Sequence, residues 1–284
     1  MNAVVNLDNF RKSDHTSLLF FPVQLVEAGV KLNEQFVLDP NRQAIVRTDT
    51  NQILGVHTKD YRFVSNKEIY TAFDQALHYS QLDLTGMITN DRLSHDGARA
   101  FRRYTFPAHE YEISTGDTVQ LKLDVVNSYD GALAFDAVVG AWRFLCSNGL
   151  IIGEKWAQTH SRHTSGFNAE LAVKKISSAL DTYCQNAKEW QTWTGQKITD
   201  EQAQAAINKM PGINPKLHQQ LWQYWEREKK QLGSTKWALF NALTFWSSHA
   251  DIRKSFKRNA ASIVFQRESK VRSVINSKAF KLAA

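Results

Sequence analysis

Between Phe20 and Leu150 apolar and polar positions alternate in short runs separated by turn residues. "QFVLD", "QAIVRTD", "QILGVHT" and "YRFVS" are β-branched or aromatic, and Asp39-Pro40-Asn41 and Asp49-Thr50-Asn51 punctuate them. The pattern predicts an antiparallel meander. "SNKEIYTAFDQALHYSQ" breaks it: Ile69, Phe73 and Leu77 recur at helical spacing, and Ser65 with Glu68 forms a capping-box pattern. Strand signals return in "LTGMITND", "RAFRRYTFP", "HEYEIS", "VQLKLDVVNS" and "GALAFDAVVGAWRFLCSNGLIIG". Within them Val119, Leu121, Leu123 and Val125 alternate as one core-facing row, and Tyr129-Asp130-Gly131 and Asn148-Gly149 carry hairpin chemistry.

After about Thr164 the period changes to that of a helix. Leu171, Ile176, Leu180 and Tyr183 follow a spacing of roughly 3.6 residues, with Cys184 on the same helix as a small hydrophobe. "TDEQAQAAINKM", capped by Thr199 or Asp200, "PKLHQQLWQYWEREKKQLG" and "TKWALFNALTFWSSHADIRKSFKRNAASIVFQRES" add three more helices. The expected class is α+β. An N-terminal antiparallel β-sheet with one covering helix spans residues 1–165. A helical C-terminal half covers 166–250, and a basic tail covers 251–284.

Charge sharpens this division. The net charge is +7, and residues 251–284 hold nine Lys/Arg against Asp251 and Glu268, so all of the excess lies there. A basic segment of this kind meets nucleic acid or another acidic surface, or simply stays solvated. The 43% apolar content, with eight Trp, is enough for a packed core. No apolar run reaches the roughly 18 residues of a membrane span. The basic-then-apolar N-terminus imitates a signal peptide, but Asp8, Asp14 and His15 interrupt it. With only Cys146 and Cys184, neither a disulfide framework nor a Cys-rich zinc site is expected, and the protein reads as soluble and cytoplasmic.

Candidate chemistry concentrates in three places. "RFLCSNGLIIGEKWAQTHSRHTSGF" brings Cys146 near His160 and His163 in sequence; a thiol or metal enzyme is one reading, and a buried strand cysteine is the plainer one. Asp117, Asp124, Asp130 and Asp136 share a strand region, but match no defined metal-ligand spacing, and no phosphate-binding glycine loop is present. "HDGARAFRRYTFP" interleaves Arg99, Arg102 and Arg103 with Phe101, Tyr104 and Phe106. That arrangement suits a single-stranded backbone with stacked bases, and equally a half-buried strand. On a strand, Phe101, Arg103 and Thr105 take one face and Arg102, Tyr104 and Phe106 the other.

"AIVRTDTNQILGVHTKDYRFVSNKEIYTAF", "GDTVQLKLDVVNSYDGALAF", "WRFLCSNGLI", "SRHTSGF" and "TKWALFNALTFWSSH" occur in this order. Together they resemble the phage- and plasmid-borne family known as domain of unknown function 932. The matching positions are Arg47, Asp49, Thr50, Leu54, Gly55, Val56, Tyr61, Asn127, Ser128, Asp130, Gly131, Arg143, Cys146, Asn148, Arg162, His163, Thr164, Trp237, Asn241 and Ala242. The resemblance implies a mobile-element setting and no settled activity. A meander followed by helices is also similar, as a fold-level analogy, to the single-strand annealing proteins of the RecT and Red-beta kind.

The expectation is a nucleic-acid-binding accessory protein of a phage or plasmid, favouring single-stranded DNA, with strand annealing in recombination as its step. It is expected to form a homo-oligomer, with no membrane association, no cofactor, no metal and no catalytic residue. The expected nucleic-acid contacts are Arg99, Arg102, Arg103, Arg143, Arg162, His163, Arg253, Lys254, Lys257 and Arg258. Two alternatives stand beside it: an enzyme centred on Cys146, His160 and His163, and a factor that binds a host protein through Trp222, Trp225, Trp237 and Trp246.

Overall fold

A computed structural model describes residues 17–80, 82–133, 136–143, 148–151 and 183–283; in the strands 136–143 and 148–151 only the side chains of Ala137 and Val138 are described. The alternating half forms two antiparallel meanders. The first joins β1 (Val23–Leu32), β2 (Gln35–Arg47) and β3 (Gln52–Thr58) in chain order. The second joins β4 (Ile88–Ser94), β5 (Arg99–Ser114), β6 (Asp117–Ser128), β7 (Asp136–Arg143) and β8 (Asn148–Ile151), also in chain order. Helix α1 (Asn66–His78) links them.

Local chemistry accounts for most of these elements. The Ser65 side chain accepts the Glu68 N–H and starts α1, whose Ile69, Phe73 and Leu77 are buried. The β1–β2 hairpin closes on Asn33-Glu34, both with positive φ (47° and 65°), the two-residue turn that matches strand twist. "QFVLD" and "QAIVRTD" are one strand rather than two. Pro40 cannot donate to a ladder, so 39–42 bulge out opposite Ala28, and Asp39 Oδ1 accepts the Asn41 N–H at 2.9 Å. Pro107 does the same in β5, which merges "RAFRRYTFP" and "HEYEIS" around a register shift between Phe106 and Glu110.

Other sequence expectations change in the meanders. "YRFVS" is extended but unpaired; Tyr61 and Phe63 instead pack on a small core of Ile45, Leu54, Ala98 and Tyr129. Asn148-Gly149 is not the hairpin turn: Asn148 pairs with Arg143 and Gly149 with Trp142, so both lie in β8.

β6 is buried along nearly its whole length, on both faces. Val119, Leu121, Leu123 and Val125 face the main core, with α1 and the aromatic residues of the helical half. Lys122, Asp124 and Val126 lie on the other side of the strand, under the helix Ala260–Ile275. Among the described residues the helical half contains α2 (residues 183–195), α3 (Asp200–Ile207), α4 (Pro215–Leu232), α5 (Lys236–His249), α6 (Ala260–Ile275) and α7 (Lys278–Lys281). Thr199 caps α3 through a capping box with Gln202, and Asn214 with Pro215 starts α4.

The long stretch expected as one helix from Thr235 is broken after His249. Arg267 reaches back from α6 to donate to the Ala250 and Asp251 carbonyls, which satisfies acceptors left open at the end of α5. The segment expected as a basic tail is therefore folded. Val271, Val274 and Phe280 are buried in the main core, so the segment packs from Ala260 onward, while residues 253–258 stay exposed.

Candidate nucleic-acid interface

The three β5 arginines lie on the faces the alternation assigns, but both faces are covered. Arg102 is 5% exposed. Its Nε and Nη2 donate to the two Asp91 carboxylate oxygens at 2.7 and 2.8 Å, Nη1 donates to Asp74 at 2.9 Å, and Nη2 also reaches Ser17 Oγ at 2.9 Å. The rings of Phe20 and Tyr70 lie 5.2 and 5.1 Å from the guanidinium carbon. On the other face Arg103 holds Asp124 through two bonds of 2.6 and 3.0 Å. Glu268 of α6 comes within 3.5 Å of Arg103 and 3.4 Å of Lys122. Arg99 is half-buried and donates to Asp130 at 2.7 Å. Arg102 and Arg103 are thus committed to internal carboxylates, and Arg99 to the β6–β7 corner.

Burial alone pushes the Asp124 carboxyl up, but the adjacent Arg103 and Lys122 charges outweigh it and hold the group well below the usual carboxylate range. An unfolded Asp titrates at about 3.9. A folded value below that means the stabilisation is complete above the unfolded value and is lost as pH falls through the folded one. Urea unfolding is therefore expected to show an acid-labile contribution that begins to disappear below about pH 4. Asp124→Asn should lower stability at pH 7 and flatten the acid limb. Parallel pH profiles for the two proteins would show that the carboxylate is not specially stabilised.

Exposed positive charge gathers elsewhere. Arg253 and the 3₁₀ turn Lys254–Asn259 present Arg253, Lys254, Lys257 and Arg258 to solvent. Phe256, 48% exposed, stands among them. Sequence reasoning named these cations but not the phenyl ring, although "RKSFKR" carries the same basic–aromatic alternation as the β5 segment. The turn is fastened to the sheet. Asn259 Oδ1 accepts the His95 N–H at 3.1 Å, and Arg258 lies 3.6 Å from Asp96. His95 and Asp96 both adopt the left-handed region (φ 53° and 57°), strained for residues with a Cβ. Burial, and then the Arg99 charge, push the His95 imidazole below its ordinary value.

The remaining candidates are placed less fully. Arg143 ends β7, paired with Val119 and Asn148, and its side chain is outside the described residues. Cys146, His160, Arg162 and His163 also lie outside them. Among the described residues no three His, Cys, Asp or Glu side chains converge as a metal site. No described helix is long and apolar enough to cross a membrane. Trp225, Trp237 and Trp246 are buried and Trp222 half-buried, so these residues form helix packing rather than an open docking surface.

The motif residues from the first sheet and from the β6–β7 corner meet. Gly55 in β3 lies against the Tyr129 carbonyl so closely that a Cβ there would fall 2.0 Å from its oxygen. The His57 Nε2 is 2.6 Å from that same carbonyl oxygen, and its ring stacks on Tyr61 at 3.8 Å. Ser128 donates to Asp130 at 2.6 Å, Asp130 accepts the Ala132 N–H, and Asn127 donates to the buried Asn66 at 2.8 Å. Gly131, at φ 68°, faces the His57 ring. This corner locks the three-stranded sheet to the five-stranded one. The family described as Domain of unknown function (DUF932) matches residues 53–273, most of the 284-residue chain.

The chain belongs to the DUF932 family. The DUF932 match takes in the corner, the β5 ion pairs and the basic turn, and begins after β1 and β2. No curated protein and no solved structure matches the chain.

Proposed function

We propose that this DUF932 protein binds single-stranded nucleic acid, DNA being favoured, as an accessory factor of a phage or plasmid, with strand annealing as the step it serves. The observation that carries the reading is the exposed turn of Arg253, Lys254, Phe256, Lys257 and Arg258 on a folded body. Cations neutralise successive phosphates, and an exposed ring offers a base a stacking surface in any sequence. The analogy with annealing proteins points the same way but rests on architecture alone. With Arg102 and Arg103 held internally, the turn is the primary contact. Arg143, Arg162 and His163 remain further candidates, and Arg99 is a lesser one because Asp130 already occupies it.

Fluorescence anisotropy with a labelled single strand and a labelled duplex, at two salt concentrations, tests this. Four phosphate contacts on a single strand imply an affinity loss of roughly 50-fold between 50 and 200 mM salt. Phe256→Ala is expected to weaken single-strand binding by about tenfold and to leave the salt slope unchanged, because stacking releases no counterions. Replacing Lys254 and Lys257 by Ala should instead reduce the slope. Salt-insensitive binding, or none to either nucleic acid, would sink the proposal.

A further inference from the structure

The β1–β2 hairpin projects with little covering it. Val30, Leu32 and Phe36 are 65%, 60% and 62% exposed, and Val26, Val37 and Leu38 are also exposed. β1 is the end strand of its sheet, and among the described residues nothing pairs with its outer edge. Ten residues of unpaired edge form a template for another strand.

The residue pattern specifies which strand. Around Gly29 the sequence reads Val26-Glu27-Ala28-Gly29-Val30-Lys31-Leu32. Place a second copy of β1 antiparallel beside the first, with the two Gly29 residues opposite each other. Glu27 then faces Lys31 of the other copy, and Lys31 faces its Glu27. On the opposite face Val26 meets Leu32 and Ala28 meets Val30, twice over by symmetry. Val37, paired with Val30 in the hairpin, widens the apolar strip. Glu27 and Lys31 are both exposed, and neither has an ion pair among the described residues. A parallel neighbour in register would oppose like charges, so the pattern also disfavours the other orientation.

We propose that β1 is a homodimerisation edge: two copies pair antiparallel about a two-fold axis at Gly29, joining two three-stranded sheets into one of six strands. The pairing is independent of nucleic-acid binding, so it is measured on nuclease-treated full-length protein by sedimentation velocity over a concentration series. Lys31→Glu opposes Glu27 with a like charge at both symmetric positions, and Glu27→Lys opposes Lys31 in the same way. Each variant alone is expected to dimerise roughly tenfold more weakly than the wild type.

The mixture of the two variants is the decisive arm. In a heterodimer each lysine of one chain faces a glutamate of the other, so mixing should restore association. The double variant Glu27→Lys/Lys31→Glu should recover it too. Circular dichroism spectra matching the wild type would exclude misfolding as the cause. A wild type that stays monomeric up to tens of micromolar overturns the proposal, as do variants that dimerise normally or a mixture that fails to associate.

Discussion

Replacing Arg102 with Met is expected to destabilise the protein by about 3–5 kcal/mol, because it removes one partner of a buried charge network. Asp91 and Asp74 both answer the guanidinium, and the surroundings are the rings of Phe20, Tyr70 and Tyr104. Without Arg102 the Asp91 and Asp74 carboxylates keep their desolvation penalty and lose their cation. Burial already pushes the Asp74 carboxyl above its ordinary value against the pull of Arg102, so proton uptake there should follow the substitution. Arg102→Lys should be nearly as damaging, since one ammonium cannot reproduce the bidentate grip on Asp91 and the bond to Asp74. Adding Asp91→Asn to Arg102→Met should recover part of the loss by removing one of the two stranded charges. Chemical denaturation of the three variants checks this. A loss below about 1 kcal/mol for Arg102→Met would mean that the network is solvated, as at a surface.

Trp237→Ala should cost a similar amount, about 3–5 kcal/mol, for a different reason. The indole is 1% exposed and lies between Trp190 and Phe240, with ring centroids 6.1 and 5.5 Å away. Its Nε1 donates to the buried Asp117 at 3.0 Å, across 120 residues of sequence. Truncation therefore opens a cavity where the end of β6 meets the helical half. Trp237→Phe keeps much of the volume and should be markedly milder. Equal effects of Ala and Phe would assign the cost to the indole N–H rather than to packing. Neither substitution touches the basic turn, so the proposed nucleic-acid binding should be unchanged in whatever protein remains folded.

The fate of the arginines shows how far a sequence can carry a functional reading. "ARAFRRYTF" and "RKSFKR" are the same kind of signal, cations interleaved with aromatics. One is the interior of a strand covered on both faces, and the other is a solvent-exposed turn. The difference lies in partners remote along the chain: Asp74 is 28 residues from Arg102, and Glu268 is 165 from Arg103. Alternation correctly gave Arg102 and Arg103 opposite faces. It could not say that α1 and α6 bring carboxylates to both. The basic segment divides in a related way. Its charge is carried to solvent at Arg253–Arg258, while Val271, Val274 and Phe280 further along place the rest against the core.

Local signals determined local structure. The Ser65 and Thr199 caps, the inward row Val119, Leu121, Leu123 and Val125, the Asp130-Gly131 corner and the Trp-rich helices all follow from interactions within a few residues, which sequence displays directly. The α+β class and the family motifs were legible for the same reason, since they are sums of such signals. Tertiary structure alone decided which charges are internal, where the long C-terminal helix breaks, and that Gly55 must lie against the Tyr129 carbonyl. Each depends on a partner brought close by folding. A guanidinium's energy is set by the dielectric and the carboxylates around it, and those are properties of the packed chain, not of its neighbours in sequence.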